Sequence, residues 1–130
     1  MIFIDTSAFY ALADKADQNH EKAKAAFARM LASDEYLFTH NYILIETAAL
    51  LQRRLGLVSA TAFLREISAF QIRWIDATAH KISFQYFLRY GKRNLSFVDC
   101  VSFAIMKDED AKVAFAFDSD FNKFGFTLYS

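Results

Sequence analysis

The chain has 130 residues, 55% of them hydrophobic, and sets 15 Lys+Arg against 15 Asp+Glu for a formal net charge of zero. That length suits one domain, residues 1–130, with a sizeable core, and an apolar chain with 3 Gly and no Pro excludes a disordered, repetitive or linker-rich class. Zero net charge gives no electrostatic pointer to a nucleic-acid partner.

Residues 1–4 (MIFI) read as a short buried strand ending at Asp5, and residues 6–14 as a short helix capped by Asp5 or Thr6. Residues 17–31 place Ala23, Ala26, Phe27, Met30 and Leu31 at helical spacing behind an Asp cap. A second strand is expected over 35–38. Residues 41–55 are apolar nearly all round and end at Gly56, which predicts a buried helix. A helix over 59–70, a strand over 71–75 and a helix over 78–90 follow, the last stopped by Gly91. Residues 91–95 form a basic loop, and Ser96 caps a helix through Lys107. A strand over 112–117, a turn over 118–125 with one helical turn at most, and a strand over 126–129 complete the pattern.

Strands alternating with helices predict parallel crossover units in one sheet covered on both faces, an α/β class. In such sheets the site lies beyond the carboxyl ends of the strands, where strand order switches. Asp5 and Asp118 each end an apolar strand. The lone cysteine, Cys100, cannot form an internal disulfide and sits in an apolar helix as an inert core thiol does, so a reducing cytoplasm is expected. The longest uncharged stretches, 36–45 and 55–64, are ten residues each and far too short to span a membrane. The apolar start lacks a basic leader and is broken by Asp5, which argues against a signal peptide. Fifteen Phe, 6 Tyr and 1 Trp exceed what one small core easily hides, so some are expected at an interface.

Four acids are poorly placed for ordinary solvation. Asp5 ends MIFI, Glu46 lies inside NYILIETAALL, Asp99 inside LSFVDCVSFAIM, and Asp118 ends KVAFAF. A buried carboxylate is costly unless it has a partner. Two at strand ends and two on apolar helices can point into one cleft, where an all-oxygen set suits Mg²⁺ or Mn²⁺ and not zinc. Each also has a plain structural reading. Asp5 can cap the first helix, Glu46 can pair with Arg53 or Arg54, and Asp99 has capping-box spacing to Ser96. Asp118 can start an Asx-turn, with Asp120 as a turn or supporting residue, and Asp76 reads as a helix cap. His20, His40 and His80 have no metal-ligand spacing and are expected on surfaces or at caps. Neither G-x-x-x-x-G-K-[ST] nor G-x-G-x-x-G occurs, which disfavours ATP and dinucleotides.

The order of these acids resembles the PIN-domain family, and within it the stand-alone toxin ribonucleases of VapBC toxin–antitoxin modules. The matching segments are IDTSAFYAL, THNYILIET, LSFVDCVSFAIM and AFDSDFNKFGF, running from Ile4 to Phe126. The resemblance implies a three-layer α/β/α sandwich around a mainly parallel sheet, in which Asp5, Glu46, Asp99 and Asp118 converge as metal-binding and catalytic residues. It places Asp5 and Asp99 directly on the metal and Glu46 on the metal or its water. Asp118 matches the last acid of the pattern, Asp120 a more variable neighbour, and Thr6 a hydroxyl that orients carboxylate or substrate. It further implies an antitoxin partner and a homodimer. The expected chemistry is Mg²⁺- or Mn²⁺-dependent endoribonuclease cleavage to a 5′-phosphate and a 3′-hydroxyl.

Lys92 and Arg93, in the loop before the Asp99 helix, are candidate RNA contacts, as is Arg53, seven residues after Glu46 on the same helix face. A solvated loop and face is the competing reading. Two other functions stay open: a housekeeping PIN ribonuclease without an antitoxin, and a non-catalytic α/β interaction module whose acids are only caps. Setting the four acids aside leaves 11 acids against 15 bases, a mildly basic surround for a cation-filled pocket.

Overall fold

Strands of two to four residues cannot stand alone, so the sheet depends on helices that return the chain to its starting edge and cover both faces. A computed structural model describes all 130 residues. In it β1 (Ile2–Ile4), β2 (Leu37–His40), β3 (Gln71–Arg73), β4 (Val113–Phe115) and β5 (Thr127–Leu128) form one sheet ordered β3-β2-β1-β4-β5. Every neighbouring pair is parallel, with Ile2 beside both Leu37 and Val113. Around it lie α1 (Thr6–Ala13), α2 (His20–Ala32), α3 (Asn41–Leu55), α4 (Leu57–Glu66), α5 (Ala77–Tyr90), α6 (Phe97–Asp108) and the single turn α7 (Asp120–Lys123). The chain builds outward from β1 to β3, then returns to the other side of β1 as β4. Strand order therefore switches between β1 and β4, where Asp5 and Asp118 emerge. No helix is long and apolar enough to cross a membrane.

The core is aromatic. Phe3, Phe38, Phe103, Phe115 and Phe121 are fully buried. Phe3 meets Phe38 edge-on at 5.5 Å, and Phe103 stacks on Phe124 at 4.4 Å. Burying one such ring contributes about 1.5–3 kcal/mol. This core absorbs more aromatic residues than the composition led one to expect: Phe84 is the one phenylalanine left exposed, although Trp74 is 65% exposed.

Where elements differ from expectation, the cause is local. β2 lies two residues later than 35–38, because polar Thr39 and His40 belong to it and are buried with their hydrogen bonds made. The Thr39 hydroxyl donates to the Ile4 carbonyl at 2.9 Å. α2 starts at His20, and its cap residue Asn19 makes no side-chain bond. Asp17 closes the preceding turn instead, its carbonyl accepting from the His20 N–H at 3.0 Å. Gly56, at φ 100°, ends α3 and starts α4 at once, a corner that a side chain would strain. Residues 67–69 then tighten to a 3₁₀ turn, so α4 does not reach 70. β3 stops at Arg73, which is bridged to Asp108 and Glu109 at the end of α6. α3 is not buried all round: Ile43, Leu44, Thr47 and Leu51 face inward while Ile45 is 65% exposed.

Candidate active site

β1 delivers Asp5 to the switch point, and the residue is only 6% exposed. It caps α1, with Oδ2 accepting from the Ser7 N–H at 3.1 Å and the Ser7 hydroxyl at 2.7 Å. Ser7 Oγ in turn accepts from the Phe117 N–H at 3.0 Å, which fastens the segment leading to Asp118 against Asp5. Burial pushes the Asp5 carboxyl up to about 6; the Ser7 bonds oppose this, and the charges of Asp99 and Glu46 add to it.

Asp99 occupies the third position of α6, and its capping box with Ser96 is formed. Its Oδ2 accepts from the Ser96 N–H at 3.0 Å and the Ser96 hydroxyl at 3.1 Å. Burial raises its pKa, the Ser96 bonds oppose, and Asp118 and Glu46 raise it further. Asp118 holds its Asx-turn, Oδ1 accepting from the Asp120 N–H at 2.9 Å. Asp99 and Glu46 thus act on Asp5 as like charges, and Asp118 and Glu46 act likewise on Asp99. None of the four has a Lys, Arg or His within ion-pair distance, so the alternative pairing of Glu46 with Arg53 or Arg54 is not made. Arg54 instead lies over the Tyr10 ring at 5.2 Å.

As the side chains stand, no three acids close on one point as ready-made ligands. The fit to a cation lies in the chemistry of the set. It is all-oxygen, partly desolvated and without a counter-charge of its own, and Oδ1 of both Asp5 and Asp99 has no protein donor. A hard divalent cation meets each of those conditions, and a zinc site does not.

The Thr6 hydroxyl accepts from Thr47 at 3.0 Å, so the hydroxyl that reaches Asp5 is that of Ser7. Ser7 is the residue that sequence reasoning passed over; a hydroxyl two places after an Asp cap was its one signal. Asp120 starts α7 and lies 3.7 Å from Lys123. Arg53, Lys92 and Arg93 are exposed and make no ion pair, and Lys92 and Leu95 pair as an isolated bridge that tightens the loop. His40 corrects the surface expectation, for although it caps α3 it is fully buried. His80 is exposed and bonded to the Tyr42 hydroxyl at 2.6 Å.

The PIN domain family model matches residues 2–127. The chain belongs to the PIN domain family. Among curated relatives, the 23S rRNA-specific endonuclease VapC20 of Mycobacterium tuberculosis is 35% identical over 128 residues, 97% of this chain and 95% of that protein. The crystal structure of that VapC20, described as a sarcin-ricin loop cleaving toxin, superposes with a TM-score of 0.85 over 98% of this chain and 97% of its own. The structure of FitAcB from Neisseria gonorrhoeae shares the fold at 15% identity, with a TM-score of 0.69 over 100% of this chain and 97% of that one. This PIN domain therefore carries the family architecture from its first strand to its last, with the sandwich fold that the element pattern predicted.

Proposed function

We propose that this PIN domain is a divalent-metal-dependent endoribonuclease and the toxin of a type II toxin–antitoxin module. The observation that carries the reading is that two partly desolvated carboxylates near the β1/β4 switch point each feel further acids as like charges, Asp5 those of Asp99 and Glu46, and Asp99 those of Asp118 and Glu46, with no ion-pair partner for any of the four. The 35% identity to a 23S rRNA-specific endonuclease supports it, and makes a ribosomal RNA loop the first substrate to test.

In this reading Asp5 and Asp99 offer their free Oδ1 atoms to Mg²⁺ or Mn²⁺, with Glu46 and Asp118 completing the set. When bound, the ion supplies positive charge to the scissile phosphate and lowers the pKa of an attacking water. Ser7 and Ser96 hold the opposite oxygens, which fixes how the two Asp carboxylates face the cleft. Glu46 binds the ion or orients the water that attacks phosphorus, whose proton passes to solvent. The bond from phosphorus to the 3′-oxygen breaks, and that oxygen takes a proton from solvent, leaving a 5′-phosphate and a 3′-hydroxyl. Arg53, Lys92 and Arg93 bind backbone phosphates nearby. The antitoxin and a second copy of the chain are the protein partners, in the reducing cytoplasm where free Cys100 and ribosomal RNA both belong.

The deciding test is Asp99→Asn. It keeps an oxygen for Ser96 and removes a charge that burial and acidic neighbours disfavour, so the metal-free protein should melt no lower than wild type while cleavage of ribosomal RNA in Mn²⁺ disappears. RNA-end sequencing after brief expression of both proteins locates the cut. Normal cleavage by purified Asp99→Asn protein would sink the assignment.

A further inference from the structure

Three surface grooves differ in charge. Two carry acidic side chains in their walls, Glu66 in the one beside Phe63, and Asp34, Glu35 and Glu66 in the one beside Met30. The third, of about 580 Å³, runs between α2 and the carboxyl ends of β4 and β5. It is lined by Lys22 and Arg29 and by no acidic residue, and neither cation has a carboxylate in ion-pair range. Phe117 and Tyr129 are half-buried in its walls. Both rings rest against buried Phe115, at 5.9 and 6.3 Å, and the Arg29 guanidinium lies 6.0 Å from the Tyr129 ring. Ser119 also lines it, so residues on both sides of Asp118 connect this groove to the acidic site.

We propose that this groove seats the single-stranded RNA segment that flanks the scissile phosphate, with Lys22 and Arg29 on phosphates and Phe117 and Tyr129 as stacking faces for bases. The proposal rests on the nuclease reading above. Unpaired cations attract a polyanion, and every base offers a flat face to a fixed ring, so cations interleaved with aromatics suit a single strand. Lys22 and Arg29 stand seven residues apart on one face of α2, about 10 Å along the axis. Two cations that far apart reach different phosphates of one strand while its bases turn to the two rings. An apolar peptide in the same place leaves both cations uncompensated, and the two acidic grooves repel phosphate. The charge pattern selects RNA, and selects this groove for it.

The test measures binding of a fluorescein-labelled single-stranded RNA dodecamer of mixed sequence by anisotropy in Ca²⁺, across a salt series. Wild type is compared with Lys22→Ala/Arg29→Ala and with Tyr129→Leu, each checked for unchanged melting. The double variant should bind about tenfold more weakly and lower the salt slope by about 1.4. Tyr129→Leu should weaken binding about fivefold to tenfold and leave the salt slope unchanged. A 4-thiouridine dodecamer should crosslink within 115–130 in wild type. Affinity and crosslinks that ignore these substitutions overturn the groove. If that happens while wild type still cleaves RNA in Mn²⁺ and Asp99→Asn does not, the nuclease reading survives alone. If the groove variants weaken binding but wild type cleaves nothing in Mg²⁺ or Mn²⁺, the nuclease reading fails and the RNA groove stands.

Discussion

Asp5 shows what a single residue gives up for the site. It is 6% exposed, its two nearest donors come from Ser7, and Asp99 and Glu46 act on it as like charges. Asp5→Asn keeps an oxygen for Ser7 and removes a charge that burial disfavours first and the neighbouring acids second. The metal-free variant should therefore be more stable than wild type by about 1–3 kcal/mol at neutral pH, while RNA cleavage is lost. Urea unfolding with EDTA present measures the first and a gel assay the second; a variant less stable than wild type contradicts a disfavoured charge at Asp5. Ser7 predicts the opposite change. Ser7→Ala leaves the Phe117 N–H without its 3.0 Å acceptor and Asp5 without its hydroxyl donor, and should cost about 1–3 kcal/mol in the same melts. Asp99 carries a lesson about reading such residues. Cap and site looked like competing explanations, yet Oδ2 takes both Ser96 bonds and Oδ1 remains open, so the cap leaves an oxygen free for the proposed site.

His40 joins the elements that carry Glu46 and Asp99. It ends β2 and caps α3, with Nδ1 accepting from the Ile43 N–H at 3.3 Å. Its Nε2–H therefore donates to Ser102 on α6 at 2.9 Å, and the Ser102 hydroxyl donates to the Val98 carbonyl at 3.1 Å. Burial pulls the His40 pKa down to about 3 from 6.5. The unfolded chain thus takes up a proton below about pH 6.5 that the folded chain refuses until about pH 3. Stability from this residue is complete above about pH 6.5 and falls with pH through that window by about 1.4 kcal/mol per unit. His40→Gln, which retains a donor near Nε2, should flatten the slope of unfolding free energy against pH by close to one proton; an identical slope refutes a neutral buried imidazole. The same joint explains what was legible. α3 was readable at both ends, from the helical run after His40 to Gly56, and α6 was readable from Ser96 and Asp99, because those signals are local. β2 was not, since Thr39 and His40 look like loop residues until Ile4 and Ser102, 35 and 62 positions away, satisfy them. Ser7 escaped for the same reason, its second partner being 110 residues distant.

Across the whole molecule, zero net charge conceals an uneven distribution. Arg73 is shared by two acids at the far end of α6, whereas the four acids of the site share no base at all. A cation that binds only the folded chain stabilises it by about 2.7 kcal/mol at a hundredfold excess over its dissociation constant. For a domain of this size that is a rise in Tm of roughly 10 °C. Mn²⁺ should raise Tm accordingly, EDTA should reverse the gain, and Asp99→Asn should remove most of it; equal shifts in wild type and variant would place the ion elsewhere. NaCl at matched ionic strength separates binding from screening. Screening spreads over all exposed charges, and with 15 of each sign on the chain it has little net repulsion to relieve. A gain specific to the divalent ion and dependent on Asp99 therefore has one source, the relief of repulsion where β1 and β4 end. The charge balance read from composition becomes a neutral shell around one acidic point, and under the proposed nuclease function occupying that point is what would permit a polyanionic substrate to approach it.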